Sequence, residues 1–359
     1  MMQAALFYKP NDVRYTQQPM PIPGPGELLV QVDTALTCGT DVKCYRRGHP
    51  VLLKSFPSPF GHEFAGTVIA VGPASENSET EKPESPVPVF KPGDRVVAAN
   101  SAPCYRCFYC GKEQYNLCEH LDLLNGAYAE AILIPARIVR HNTYRIPAHL
   151  SFEIAAFTEP LAVCLHGLAQ AGVSSGDRVA VLGLGPIGQL LVRGAKWKGA
   201  HVTAMARNSE KLALAQHFGQ ADQTVSLLDY SDPAAIRADF TPEKRGFDVV
   251  IEAIGLPETW EKAVALTRKG GTVNLFGGCP GDTTITLSTR RLHYEEIRVV
   301  SSFHHTPHHV QNALHLLAQG EIDPSPLITN RMPMAQFETA LQQVEAGQAM
   351  KIALKNAPF

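Results

Sequence analysis

The sequence predicts an α/β protein in which a β-rich region precedes a parallel, doubly wound sheet. Three observations carry this. From about residue 174, short apolar strands alternate with helical segments. Between the first of those strands and its helix stands Gly183-Leu184-Gly185-Pro186-Ile187-Gly188. Before residue 100 the chain instead reads as strands punctuated by proline and glycine turns.

Taken in order, Glu27 to Asp33 has the apolar content of a strand and follows the turn residues Pro21 to Gly26. Phe64 to Val71 reads as a second strand, and Lys91-Pro92-Gly93-Asp94 as a turn leading into Arg95 to Ala98. Between them, Pro73 to Pro88 is rich in Ser, Glu, Lys and Pro and predicts a surface insertion. Farther on, strands are expected at 178–182, 201–205, 223–225, 247–252 and 271–276. Helices are expected at 186–198, 209–218 and 258–267; in the first, Ile187, Leu190, Leu191 and Ala195 recur at helical spacing. Helices over 307–319 and 334–347 and a last strand over 351–355 complete the chain.

The chain has 359 residues, which suggests two domains. Its 45% hydrophobic and 18% charged residues fit a soluble globular protein. The net charge of −2 is spread along the chain; no basic block points to nucleic acid and no apolar run of about 18 residues points to a membrane. The first nine residues lack the order of a signal peptide, so a cytoplasmic location is expected.

Gly183 to Gly188 follows a strand and opens a helix, the context in which such a loop holds a pyrophosphate. Folds of this kind that bind NAD usually close the next strand with Asp or Glu, about 20 residues after the glycines, to hold the ribose hydroxyls. Here the residues are Met205-Ala206-Arg207-Asn208. An arginine suits a 2′-phosphate, which favours NADP; Arg207 as a solvated strand-end residue of a less selective NAD protein is the other reading. Ala253 and Phe276, at the ends of later strands, are further cofactor candidates.

Cys104, Cys107, Cys110 and Cys118 supply four of the eight cysteines within one short lobe. Four thiolates make a closed tetrahedral zinc site, and similar spacing also suits an iron–sulfur cluster. A second metal set is possible from Cys38, the adjacent His62 and Glu63 between Gly61 and Gly66, and Glu159. A thiolate, an imidazole and one or two carboxylates hold zinc and leave a position open for substrate.

In this order, Cys38-Gly39-Thr40-Asp41, Gly61-His62-Glu63, the cysteine lobe, Thr158-Glu159-Pro160-Leu161 and the glycine loop make the chain resemble the zinc-containing medium-chain dehydrogenase/reductase family. The resemblance is greatest to its sorbitol and threonine dehydrogenase branch and covers nearly the whole chain. It implies a GroES-like catalytic domain over 1–160, with the structural zinc lobe at 104–118, a Rossmann NADP-binding domain over 161–300, and a return to the catalytic domain over 301–359. It implies Cys38 and His62 as ligands of a catalytic zinc, Glu63 as a ligand or near neighbour, and Glu159 as an exchangeable further ligand. It makes Thr40 the hydroxyl that takes the substrate proton and Asp41 a partner that orients His62. The lobe cysteines become structural zinc ligands.

The implied activity is hydride exchange between a secondary alcohol of polyol, sugar or cyclitol type and NADP, with NAD second. The implied partners are a small alcohol or carbonyl substrate and a second copy, as homodimer or homotetramer. A zinc-free quinone or enoyl reductase and a non-catalytic NADP-binding protein are the alternatives. Three positions depart from relatives or stay open. Lys43 stands where many relatives have a relay histidine; it relays a proton, pairs with cofactor phosphate or is solvated. His304 and His305 reach the substrate or cap the helix that begins near Pro307. His49, His166, His308 and His309 are read as surface or packing residues.

Overall fold

A computed structural model describes residues 1–49, 52–53, 55–74, 89–230 and 232–356. The expected insertion at 73–88 lies almost wholly outside them. The chain divides into two compact units, one of residues 1–162 and 305–359, the other of 163–304.

The first unit is built on a mostly antiparallel sheet, in which Ile328–Pro333 and Lys351–Lys355 pair in parallel. Among the described residues its strands run in the order Thr143–Arg145, Arg95–Ala98, Glu63–Val71, Leu28–Leu36, Lys351–Lys355, Ile328–Pro333, with Ala131–Ile134 also pairing Leu28–Leu36. Leu28–Leu36 is central because both its faces are apolar; Leu28, Val30, Val32, Ala35 and Leu36 are all buried. It pairs Leu36 with Glu63 on one side and with Ala353 on the other. The end of this one strand therefore draws residues near 63 and near 351 together, although they lie far apart in the chain. A hairpin of Met2–Lys9 and Asp12–Gln18, not expected from the sequence, packs Ala5 and Phe7 into the same core.

The second unit holds six parallel strands among the described residues. In chain order they are Arg178–Leu182, His201–Ala206, Gln223–Ser226, Phe247–Glu252, Thr267–Leu275 and Arg298–Ser301, and across the sheet they run third, second, first, fourth, fifth, sixth. The interior strands are near-continuous apolar runs, as a sheet covered on both faces requires; Val179 to Leu182 and Val202 to Met205 are all buried. Helices Pro186–Trp197, Ser209–His217 and Pro257–Leu266 make the crossovers.

The helix Thr158–Gln170 leads from the first unit into the second. The stretch Phe152–Gln170 is long and apolar enough to cross a membrane, yet most of it is buried inside the protein.

Candidate metal and dinucleotide sites

Cys38 is the N-cap of the helix Gly39–Arg47, with extended backbone at φ −126° and ψ 147°. Its Sγ accepts the N–H of Thr40 at 3.4 Å, and Asp41 Oδ2 accepts the N–H of Cys38 at 3.2 Å. This reciprocal cap holds the sulfur at the positive end of the helix.

Asp41 is 2% exposed and serves as the hub. Besides Cys38 N–H it accepts Tyr128 Oη–H on Oδ2 at 2.7 Å and His62 Nδ1–H on Oδ1 at 2.9 Å. In the neutral ring, Nδ1 donating to Asp41 leaves the lone pair on Nε2, the tautomer a metal ligand needs. Burial opposes charge on the ring, but the Asp41 carboxylate and the hydrogen bonds from Asp41 and Cys38 outweigh it, so His62 is held well above its usual pKa. Ligand atoms of Cys38, His62 and Glu63 lie within 4.8 Å of one another.

Glu63 is 1% exposed. Its Oε2 forms a buried ion pair with Lys351 Nζ, while Oε1 has no hydrogen-bond partner among the described residues. Lys351 also donates to Thr37 O at 2.9 Å and lies over the Phe157 ring at 5.6 Å. Burial disfavours its ammonium, but Glu63, with Cys38 and Glu159, more than offsets that and raises its pKa. A buried carboxylate oxygen without a proton donor, beside a cysteine sulfur and an oriented imidazole, fits a divalent cation. The donor set of S, N and O is that of a catalytic zinc.

Glu159 is not in that group of three. It lies at the start of the helix Thr158–Gln170, 7% exposed, and its ligand oxygen is within 4.8 Å of a ring nitrogen of His305. Burial lifts its carboxyl to about 7, against the opposing pull of His62. His305 is buried and its Nε2 meets Asn100 Oδ1 at 3.0 Å. Neither His304 nor His305 caps the following helix: the N-cap of Pro307–Ala318 is Thr306. His304 ends the second unit at φ +63°, and its carbonyl accepts from His166 Nδ1 at 2.9 Å. Thr40 is half-buried in the first turn of the capped helix, whereas Lys43 is exposed. Of the neighbouring residues, Tyr128, Asn100 and Lys351 escaped sequence reasoning. Only Lys351 left a signal, a lysine opening an apolar strand.

In the lobe, ligand atoms of Cys104, Cys107, Cys110 and Cys118 also lie within 4.8 Å of one another, and all are free thiols. Short 3-10 turns at Cys110–Lys112 and Tyr115–Leu117 fold the chain around them. Cys118 Sγ accepts the N–H groups of Cys104 at 3.2 Å and His120 at 3.3 Å. Burial raises the Cys118 pKa against the pull of these backbone N–H bonds, and four sulfurs fill a tetrahedral shell.

In the second unit, Gly183 ends the first strand at φ +93°, and a Cβ there would lie 2.6 Å from Ile254 Cγ1. A Cβ on Gly188 would lie 1.9 Å from the Gly183 carbonyl oxygen, so the loop closes only on glycine. Gly185 is the N-cap of Pro186–Trp197, with Pro186 at its first position. Leu184 is buried; Pro186 and Ile187 are half-buried. Arg207 is exposed just past the second strand. Asn208 caps the next helix, its Oδ1 accepting Lys211 N–H at 2.9 Å. Ala253 N–H bonds Leu182 O at 2.8 Å and Phe276 N–H bonds Glu252 O at 3.0 Å, which fixes both at the C-terminal ends of the strands. This is the arrangement of a dinucleotide-binding sheet.

Comparison with known proteins agrees with this geometry. The alcohol dehydrogenase GroES-like domain matches residues 24–148, and the zinc-binding dehydrogenase domain matches residues 186–319. An erythritol/L-threitol dehydrogenase of Mycolicibacterium smegmatis is 30% identical over 369 residues, covering 98% of this chain and 97% of that one. A sorbitol dehydrogenase of Bombyx mori is 29% identical over 361 residues, covering 98% and 97%. A crystal structure assigned to a zinc-binding dehydrogenase of Sinorhizobium meliloti 1021, bound to NADP, superposes with a TM-score of 0.88 at 30% identity over 99% of both chains.

Proposed function

The chain belongs to the zinc-binding alcohol dehydrogenase family, and from that premise we propose that it transfers a hydride between a polyol-type secondary alcohol and NADP. The observation that carries the reading is the gathering of Cys38, His62 and Glu63 around Asp41, with Glu63 Oε1 left without a donor. Bound there, zinc would supply Lewis-acid polarisation of the alcohol oxygen, and bound NADP would supply the hydride acceptor.

The chain's own residues do the rest. Cys38 and His62 hold the metal, and Asp41 keeps His62 in the ligating tautomer. Lys351 sets where the Glu63 carboxylate stands. Glu159, buried at the start of its helix, serves as the further, exchangeable ligand. The Thr40 hydroxyl takes the substrate proton. In the second unit, the glycine loop seats the pyrophosphate and Arg207 meets the 2′-phosphate.

The polyol class is supported by the relatives named for erythritol, threitol and sorbitol, and NADP by Arg207 and by the NADP bound in the Sinorhizobium structure. A homo-oligomer is part of the same reading. The strand Arg298–Ser301 supports it: it ends the sheet on one side and is largely exposed.

An alcohol panel with NADP and with NAD, followed by absorbance of the reduced cofactor, tests the proposal. Turnover of polyols with NADP preferred is expected; no reduction of either cofactor across the panel contradicts it. Replacing Arg207 with Ala should lower kcat/KM for NADP about tenfold or more relative to NAD. An unchanged ratio removes Arg207 from the site.

A further inference from the structure

The order of the second unit's sheet reverses between its first strand, Arg178–Leu182, and its fourth, Phe247–Glu252. Open α/β sheets take their ligand outside the C-terminal ends of the strands at such a reversal. Glu252 is the last residue of the fourth strand and is 0% exposed. None of the roles above uses its carboxylate.

Its bonds are many. Oε1 accepts Ile254 N–H at 2.8 Å, Gly255 N–H at 3.0 Å and Thr259 Oγ1–H at 2.7 Å. Oε2 lies 3.2 Å from the same Gly255 N. A Cβ on Gly277 would come 2.9 Å from Oε2 and 2.5 Å from Gly255 N, so the end of the fifth strand presses on the carboxylate as well. Trp260 Nε1 donates to Gly277 O at 2.9 Å. The turn that these bonds hold is also the wall of the glycine loop. Ala253 N–H bonds the first strand at Leu182 O, and Ile254 fills the space a Gly183 side chain would need.

We infer that Glu252 is a positioning residue for the dinucleotide. Its carboxylate fastens residues 253–259 in one shape against the glycine loop. The second strand, on the opposite side of the first, ends at the residues for the adenosine ribose. The fourth strand therefore serves the nicotinamide half. The inference rests on the dinucleotide reading above.

The test uses the full-length, zinc-loaded protein with two variants, Glu252→Gln and Thr259→Val. Each is titrated with NADPH, or NADH if that binds tighter, by fluorescence, and with 2′,5′-ADP by competition. Glu252→Gln puts an amide where only an acceptor fits. It should weaken reduced-cofactor binding about tenfold while 2′,5′-ADP binds as in the unaltered protein. Thr259→Val should weaken the reduced cofactor less, and the double variant no more than Glu252→Gln, because both changes break one network. If Glu252→Gln does not fold, a selective loss in Thr259→Val supports the inference and its absence overturns it. Equal weakening of cofactor and fragment overturns it, as does unaltered affinity in both variants. Unaltered protein that binds neither dinucleotide refutes the cofactor reading itself, and this inference with it.

Discussion

The two candidate metal sites are built on opposite principles. In the lobe, four sulfurs come from residues 104–118, and the ligand set is complete within one short loop. At Cys38, His62 and Glu63 the set is mixed and incomplete, and it is held by buried charge: Asp41 behind the imidazole and Lys351 behind the carboxylate. A closed set has its coordination filled by the protein and serves stability. An open set needs an outside oxygen to complete it and serves chemistry. The price is a cluster of ionised groups in the core, which is stable only while each keeps its partner.

That contrast can be broken in four ways, taken from the largest effect to the smallest. Cys38→Ala should lower kcat by about 1,000-fold or more while leaving the melting temperature and NADPH binding close to those of the unaltered protein. Steady-state assay and calorimetry check both halves; loss of stability without loss of specific activity would exchange the roles of the two sites. Cys110→Ser should do the opposite. It should remove the lobe's metal and cost about 5 kcal/mol or more of local stability, seen as early proteolysis within the lobe. Protection from protease equal to that of the unaltered protein would contradict this.

Lys351→Met leaves the Glu63 carboxylate buried without its cation. A loss of about 3–5 kcal/mol in urea unfolding is expected. Adding Glu63→Gln should recover part of it; additive losses would show that the two residues do not act as a pair.

The smallest effect comes from an exposed counterpart. Glu153 meets Arg331 at 2.7 Å and Lys355 at 2.8 Å near the surface. The Arg331 hydrogen bond, helped by Lys355 and opposed by partial burial, lowers the Glu153 pKa below its usual 4.5. A folded-state pKa below the unfolded one contributes stability above about pH 4.5, and that stability is lost as pH falls through the lower value. Glu153→Gln should therefore cost ~0.5–1 kcal/mol at pH 7 and nothing well below pH 4, after screening at a largely exposed Arg331. Equal loss at both pH values in denaturant titrations would show that the ion pair is not its source.

The same contrast explains what the sequence disclosed. The lobe was readable because all its ligands lie within one loop, and the glycine loop because strand, loop and helix are contiguous. Five of the six strands described in the second unit followed from alternation, and Arg298–Ser301 was not among them. Local signals failed where the fold joins distant residues. Lys351 stands beside Glu63 because the strand Leu28–Leu36 pairs on both sides, which no spacing announces. Tyr128 reaches Asp41 from a segment with no motif of its own. The helix Gly39–Arg47 was not foreseen because its N-cap is a cysteine, whose sulfur takes the place of the usual oxygen. The hairpin Met2–Gln18 was passed over because its apolar residues were weighed only as a possible leader.

The central claim is that one site is closed and structural and the other open and catalytic. Zinc content measured beside turnover in the same preparations tests it most directly. About two zinc ions per chain are expected in the unaltered protein. About one zinc is expected in Cys38→Ala, with turnover abolished and the fold kept. Active protein holding about one zinc, or Cys38→Ala with undiminished turnover, would contradict it.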